Sequence, residues 1–152
     1  MKRWTFALMS LALVAATPAM AAEKVIGEVV TSKNFTGPDD TISVVRFEDP
    51  RVPGAFCYLS TSQKGGFASN FGMQEERNEA TLDCFASKPL TLPKDLPAKE
   101  AIRETSRSLV FKTMYVVRMV DTEAKRLIYV AYTRNGVDGS PRHAMASIAV
   151  GP

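Results

Sequence analysis

The cysteine and histidine side chains are the residues of this sequence best suited to chemistry, and they are few. The 152 residues include two cysteines, Cys57 and Cys84, and one histidine, His143. Three interpretations are open for Cys57: a thiol nucleophile activated by His143, a zinc ligand, or one half of a disulfide. The choice decides whether the sequence predicts any catalysis.

The sequence favours the disulfide. A thiol nucleophile needs a neighbouring base to lower its pKa, and nothing in the spacing brings His143 to Cys57. Neither cysteine belongs to a C-x-x-C motif, which is typical of zinc sites and redox-active pairs. Apolar residues lie two positions before and two positions after each cysteine, so both sulfur atoms are expected on the buried face of a strand. A Cys57–Cys84 bridge would close 27 positions and stabilise the fold by about 3.5 kcal/mol.

The first 21 residues have the pattern of a signal peptide. Lys2 and Arg3 precede an apolar run over residues 6–16, and residues 19–21 (AMA) supply the small residues of a cleavage site. The run is shorter than the roughly 20 residues that a membrane-spanning helix needs. We therefore expect export to the periplasm, with residues 22–152 forming one domain without a membrane span. An oxidising compartment is also where disulfides persist.

The charge of the chain excludes an obvious nucleic-acid partner. It has 19 Lys+Arg against 16 Asp+Glu, and removal of Lys2 and Arg3 leaves 17 against 16. Proteins that bind nucleic acid usually show a concentrated basic patch, which this sequence lacks.

The strongest structural signal is a pair of apolar runs, 108–120 and 126–134, separated by five polar residues. Their β-branched and aromatic residues predict a β-hairpin. Both faces of the first run are apolar. Met114 and Val116 lie on one face, and Tyr115, Val117 and Met119 lie on the other. A strand that is apolar on both faces needs other residues packed over both faces, so we expect the hairpin at the centre of its sheet.

The other elements complete a mostly β fold class: a single-domain antiparallel sandwich or partly closed barrel with one or two short helices. The helices are predicted over 73–80 and 97–107, from helix propensity. Further strands are predicted over 25–31, 41–48, 55–61, 80–86 and 144–150. Residues 44–49 (VVRFED) also echo 116–121 (VVRMVD), which indicates either a duplicated half-domain or, as we favour, chance recurrence of strand residues.

Three arginines are candidates for ligand binding, because Arg46, Arg118 and Arg134 lie in or at the end of predicted strands. In a suitable strand register, they would converge on a carboxylate or phosphate. The alternatives are a solvated face or pairing with neighbouring carboxylates such as Glu48 and Asp49.

Phe67 and Phe71 lie in a glycine-containing loop that could accept a ligand. The alternative is that both rings pack beneath the loop. Together with Arg46 and Arg118, they are the contact residues that we predict, for an envelope protein or a small anionic ligand.

The sequence contains no motif that assigns catalysis. It has neither a Walker A loop nor a G-x-S-x-G elbow, and it singles out no pair of carboxylates. We therefore predict no catalytic residues, metal or cofactor, and a non-catalytic binding or accessory role. The alternative is a small periplasmic enzyme that uses carboxylates or a Cys57/His143 pair.

The order and spacing of ten short motifs resemble the CreA family of exported bacterial proteins. The motifs are IGEVV (26–30), GPDD (37–40), FEDPRV (47–52), FCY (56–58), KGG (64–66), DC (83–84), SLVFK (108–112), VVR (116–118), YVAYT (129–133) and DGSP (138–141). The resemblance covers nearly all of residues 22–152, and the two cysteines match the family pattern. The segment 97–107 fits it less well.

The resemblance implies a periplasmic protein and gives no catalytic or ligand-binding residues to transfer. The family name refers to catabolite regulation. Because an exported chain without a DNA-binding feature does not regulate transcription itself, any such role would act through an envelope partner.

Overall fold

A computed structural model describes residues 21–67, 80–106, 112–135 and 142–151. These residues form eight strands: β1 (Glu23–Ser32), β2 (Asp40–Glu48), β3 (Ala55–Gln63), β4 (Ala80–Ala86), β5 (Lys99–Ser106), β6 (Lys112–Asp121), β7 (Arg126–Asn135) and β8 (His143–Ala149). They build two antiparallel sheets, which we call sheet A (β1-β2-β3-β4) and sheet B (β5-β6-β7-β8). Within each sheet, every strand pairs with its neighbours in sequence. The predicted mostly β, antiparallel sandwich is confirmed.

The two sheets share one hydrophobic core. Phe47 and Leu59 of sheet A and Val116 and Leu127 of sheet B belong to the same buried cluster. The sheets approach each other most closely where β4 lies beside β8. At the opposite margin, the backbone N–H of Ala21 donates to the carbonyl of β5 residue 102 over 3.2 Å.

Strand alternation explains which side chains enter the core. In β3, Ala55, Cys57 and Leu59 are buried, whereas the intervening Phe56 and Tyr58 lie on the outer face. This period of two residues is the ordinary geometry of a strand.

The predicted central hairpin is also confirmed. Strands β6 and β7 pair over ten residues and occupy the middle of sheet B. Met114 and Val116 face the core, while Tyr115 and Val117 face outward. Val117 is nevertheless only 5% exposed, so the outer face of the hairpin is apolar as well.

The helix predicted over 97–107 is wrong, because this segment contains strand β5. Its backbone pairs with β6, and a bulge between Ala101 and Arg103 brings both Ile102 and Arg103 into buried positions. Pairing with a central strand outweighs the helix propensity of the residues. The other predicted helix, 73–80, lies outside the described residues except for Ala80, the first residue of β4.

Candidate functional site

The two cysteines form the predicted disulfide. Cys57 in β3 and Cys84 in β4 are directly opposite in the strand register, with a Cα–Cα distance of 4.1 Å, and their sulfur atoms are bonded. Both side chains are buried on the inner face of sheet A. His143 is exposed in β8, opposite Tyr132 in sheet B. The structure therefore does not bring Cys57 and His143 together as a catalytic pair.

Arg118 is the centre of a group of charged side chains inside the sandwich. It is fully buried on the inner face of β6, and its Nη1 donates to Asp49 Oδ1 at 2.8 Å and to Oδ2 at 3.0 Å. Its Nη2 donates to Glu100 in the adjacent strand β5. The hydroxyl of Tyr129 donates to Asp49 Oδ2 at 3.0 Å. We call Asp49, Glu100, Arg118 and Tyr129 the buried ion cluster.

The loop after β2 holds Asp49 in place. The backbone N–H of Arg51 donates to Asp49 Oδ1 at 2.9 Å, and the N–H of Asp49 itself donates to the carbonyl of Ala55 at 2.9 Å. At the surface, the Arg51 side chain contacts Asp95 at 2.7 Å and Glu100 at 3.8 Å. The cluster is thus continuous with surface ion pairs at this end of the sandwich.

The cluster keeps Tyr129 protonated. Burial raises the pKa of Tyr129 strongly, and the negative charge of Asp49 and the hydrogen bond to it raise it further, whereas the positive charge of Arg118 opposes the shift. Tyr129 therefore acts as a hydrogen-bond donor to Asp49 at any physiological pH. Asp49 accepts four hydrogen bonds in all, two from Arg118, one from Tyr129 and one from the backbone N–H of Arg51.

The neutralised charges indicate a structural role for Arg118. Both of its terminal nitrogen atoms are bound to carboxylates, so they are not presented to an anionic ligand. A pocket of about 300 Å³ does lie beside the loop. Its lining residues are Ala22, Glu48, Asp49, Pro50 and Pro53.

Arg46 occupies a different surface, the outer face of sheet A. Its guanidinium carbon lies 5.4 Å from the centre of the Phe56 ring. The Phe85 ring stacks on Phe56 at 5.8 Å and on Tyr58 at 5.6 Å between centroids. We call these four residues the Arg46 patch. Phe85 is 38% exposed and the other three are half-buried.

A related arrangement lies on the outer face of sheet B. The guanidinium carbon of Arg134 lies 5.5 Å from the Tyr115 ring, and this ring stacks on Tyr132 at 5.5 Å. The three candidate arginines therefore lie on three different surfaces and do not converge on one anion. Arg118 faces the core, while Arg46 and Arg134 face outward from opposite sheets.

The phenylalanine loop is only partly described. Phe67 follows β3 and is 63% exposed, while Phe71 lies outside the described residues. The sequence did not single out Phe56, Tyr58 and Phe85 as contact residues. Phe56 and Tyr58 are spaced two residues apart in β3, but the sequence does not show the strand register that places Phe85 beside them.

The described residues show neither a metal site nor a membrane span. Within those ranges, no three His, Cys, Asp or Glu side chains are grouped so that they could hold a metal ion. The same part of the chain contains no helix long and apolar enough to cross a bilayer.

The fold and the disulfide define an antiparallel β-sandwich cross-linked within one sheet. The family described as CreA protein matches residues 26–152 of the chain. Protein CreA of Escherichia coli (strain K12) and that of Escherichia coli O157:H7 are each 36% identical over 149 residues, which cover 95% of this chain and 94% of theirs. No solved structure matches the chain. The chain belongs to the CreA family.

Proposed function

We propose that this protein is an exported, periplasmic, non-catalytic binding or accessory protein of the cell envelope, stabilised by its disulfide. The signal-peptide pattern over residues 1–21 supports export. The Cys57–Cys84 bridge supports an oxidising compartment. The partner is an envelope protein or a small anionic ligand, and the Arg46 patch is the contact surface.

One contrast supports a binding role more than any other observation. Asp49, Arg118 and Tyr129 are bound to one another in the buried ion cluster, whereas Arg46 lies on the outer face of sheet A over the Phe56 ring. Aromatic and arginine side chains dominate the energy of many protein interfaces. A guanidinium stacked on a ring can also still donate hydrogen bonds to a carboxylate or phosphate.

Export and the state of the cysteines can be tested together by intact mass. Protein recovered from the periplasmic fraction is alkylated with and without prior reduction. We expect the mass of a chain that begins near Ala22, and two labels only after reduction. Recovery in the cytoplasm, or labelling of Cys57 without reduction, would contradict the proposal.

Ligand binding can be tested by thermal shift, because a ligand that binds only the folded state raises the unfolding temperature. The screen uses small carboxylates and phosphates at millimolar concentration. We expect at least one of them to stabilise the wild type and not Arg46→Met. Lys94→Gln, which removes an exposed charge in the loop before β5, is the matched control and should respond like the wild type.

A further inference from the structure

One end of sheet A presents two loops with a similar sequence. Strands β1 and β3 run in the same direction, because both pair antiparallel with β2. Their C-terminal ends therefore lie at the same end of sheet A. The chain then reads TSKNF over residues 31–35 and TSQKGGF over residues 61–67. Each loop places a lysine and then a phenylalanine beyond the last Thr-Ser of its strand.

The two loops are joined by hydrogen bonds from the backbone of Gly65 and Gly66, and the Asn34 side chain bonds the same two acceptors. The N–H of Gly66 donates to the carbonyl of Pro38, and the N–H of Gly65 donates to Asp40 Oδ1, both at 2.8 Å. The side-chain amide of Asn34 donates to the same carbonyl at 2.9 Å and to Asp40 Oδ1 at 2.8 Å. These contacts fix one loop against the other.

Glycine is required at this junction. A side chain at Gly65 would collide with the carbonyl of Pro38, and one at Gly37, where φ is 83°, would collide with the carbonyl of Gly66. The motifs GPDD and KGG therefore serve one purpose, which is to bring the two loops into close backbone contact. We call the joined loops, residues 33–39 and 64–67, the sheet A tip.

The tip exposes apolar rings beside positive charges. The Phe35 side chain is fully exposed and Phe67 is 63% exposed. Lys33 and Lys64 are exposed as well, whereas Asp39 is partly buried and accepts the N–H of Asn34 at 3.0 Å. Aromatic rings exposed to water are unfavourable, so two of them at one end of a sheet indicate a surface that binds a partner.

We propose that the sheet A tip docks on an anionic lipid surface. Phe35 and Phe67 enter the boundary between head groups and acyl chains, and Lys33 and Lys64 contact the anionic head groups. Apolar side chains combined with lysines are the usual composition of surfaces that bind membranes peripherally. Charge complementarity favours an anionic lipid over a neutral one. The inference is independent of the binding role proposed for the Arg46 patch.

Co-sedimentation with lipid vesicles tests this inference. Protein is purified from cells that export it. Its mass is measured to confirm that the wild type and all variants begin at the same residue. Vesicles contain either one-third phosphatidylglycerol in phosphatidylethanolamine or phosphatidylcholine alone. We expect the protein to sediment with the anionic vesicles, less so as salt rises, and not with the neutral vesicles.

Variants at the tip should reduce this partitioning without unfolding the protein. Phe35→Ser/Phe67→Ser is expected to lower the partition coefficient at least tenfold. Lys33→Gln and Lys64→Gln are each expected to lower it about fivefold. Met145→Ser and Lys94→Gln are the matched controls, since both residues are exposed away from the tip, and each should stay within about twofold of the wild type.

A fluorescent reporter gives a second, direct measurement. In Phe35→Trp, the tryptophan emission should shift to shorter wavelength with anionic vesicles and stay unchanged with neutral ones. The inference is overturned if the wild type does not sediment with anionic vesicles, or if the tip variants sediment like the controls. Binding of the tip to a protein in the absence of vesicle binding would overturn it too.

Discussion

Arg46 and Arg118 occupy equivalent places in two similar sequences, but they face opposite sides of their sheets. In β2, Val45 faces the core and Arg46 faces outward over Phe56. In β6, Val117 faces outward and Arg118 is fully buried. One of the two carboxylates that neutralise Arg118 is Asp49, which directly follows β2.

The difference shows that the environment of an arginine, rather than its local sequence, decides its role. A buried charge costs several kcal/mol unless it is paired and hydrogen-bonded, and Arg118 has two carboxylate partners. Arg46 remains partly in water, where a stacked ring contributes about 0.5–1 kcal/mol. The two residues should therefore respond very differently to the same substitution.

The largest effect is expected for Arg118→Met. The variant leaves the buried Asp49 carboxylate without its cation, so the free energy of unfolding should fall by about 3–5 kcal/mol. Urea denaturation at pH 7, followed by circular dichroism, measures this change. A loss below about 1 kcal/mol would show that the buried ion cluster is not structural.

The disulfide should come next. Cys57→Ala/Cys84→Ala removes the bridge that joins β3 to β4. Strand β3 also pairs with β2, which contains Arg46. We expect the free energy of unfolding to fall by about 2–4 kcal/mol. The matched measurement is the wild type with and without a reducing agent, which should reproduce the loss. Equal stability in all three samples would contradict this prediction.

Tyr129→Phe should have a smaller effect that depends on pH. Loss of the hydrogen bond to the Asp49 carboxylate should lower the free energy of unfolding by about 1.5–3 kcal/mol at pH 7. The pKa of Tyr129 is raised in the folded protein, so above its ordinary value of about 10 the unfolded chain releases this proton first. The wild type therefore loses stability from this group as the pH rises, by up to about 1.4 kcal/mol per pH unit.

The variant lacks that proton, so the difference between Tyr129→Phe and the wild type should shrink above pH 10. Urea denaturation of both proteins at pH 7, 9 and 11 measures the difference. A difference that stays constant over this range would show that Tyr129 is not held protonated by the cluster.

The smallest effect is expected for Arg46→Met, the same substitution as at Arg118. Removal of a partly exposed cation from the Phe56 ring should change the free energy of unfolding by less than about 1 kcal/mol. Urea denaturation of Arg46→Met and Arg118→Met under the same conditions compares their free energies of unfolding directly. Similar losses in the two variants would mean that the two arginines have the same role.

Much of the fold could be predicted from local patterns. Alternation predicted the strands around Cys57 and Cys84, and composition predicted the β6–β7 hairpin with its two apolar faces. Segment 97–107 could not be predicted correctly, because its helix propensity is outweighed by pairing with β6, a contact between segments. The bulge that buries both Ile102 and Arg103 also depends on that pairing.

The candidate site was harder to predict than the fold. Sequence spacing gave Arg46 and Arg118 as equal candidates, since the phase of each strand relative to the core cannot be read from the motif VVR. The Arg46 patch depends on the register that places Phe56 opposite Phe85. The sheet A tip likewise depends on the parallel directions of β1 and β3, which bring Phe35 and Phe67 to one edge.

Site-specific photo-crosslinking in intact cells tests most directly that the Arg46 patch, and not the buried ion cluster, is the contact surface. A photoreactive phenylalanine analogue replaces Tyr58 in the patch or, as the control, Thr122 in the exposed β6–β7 turn. We predict a cross-linked product of defined mass from position 58 that is absent at position 122 and is lost when Arg46→Met is added. Identical products from both positions, or a product that persists without Arg46, would show that the Arg46 patch is not the contact surface.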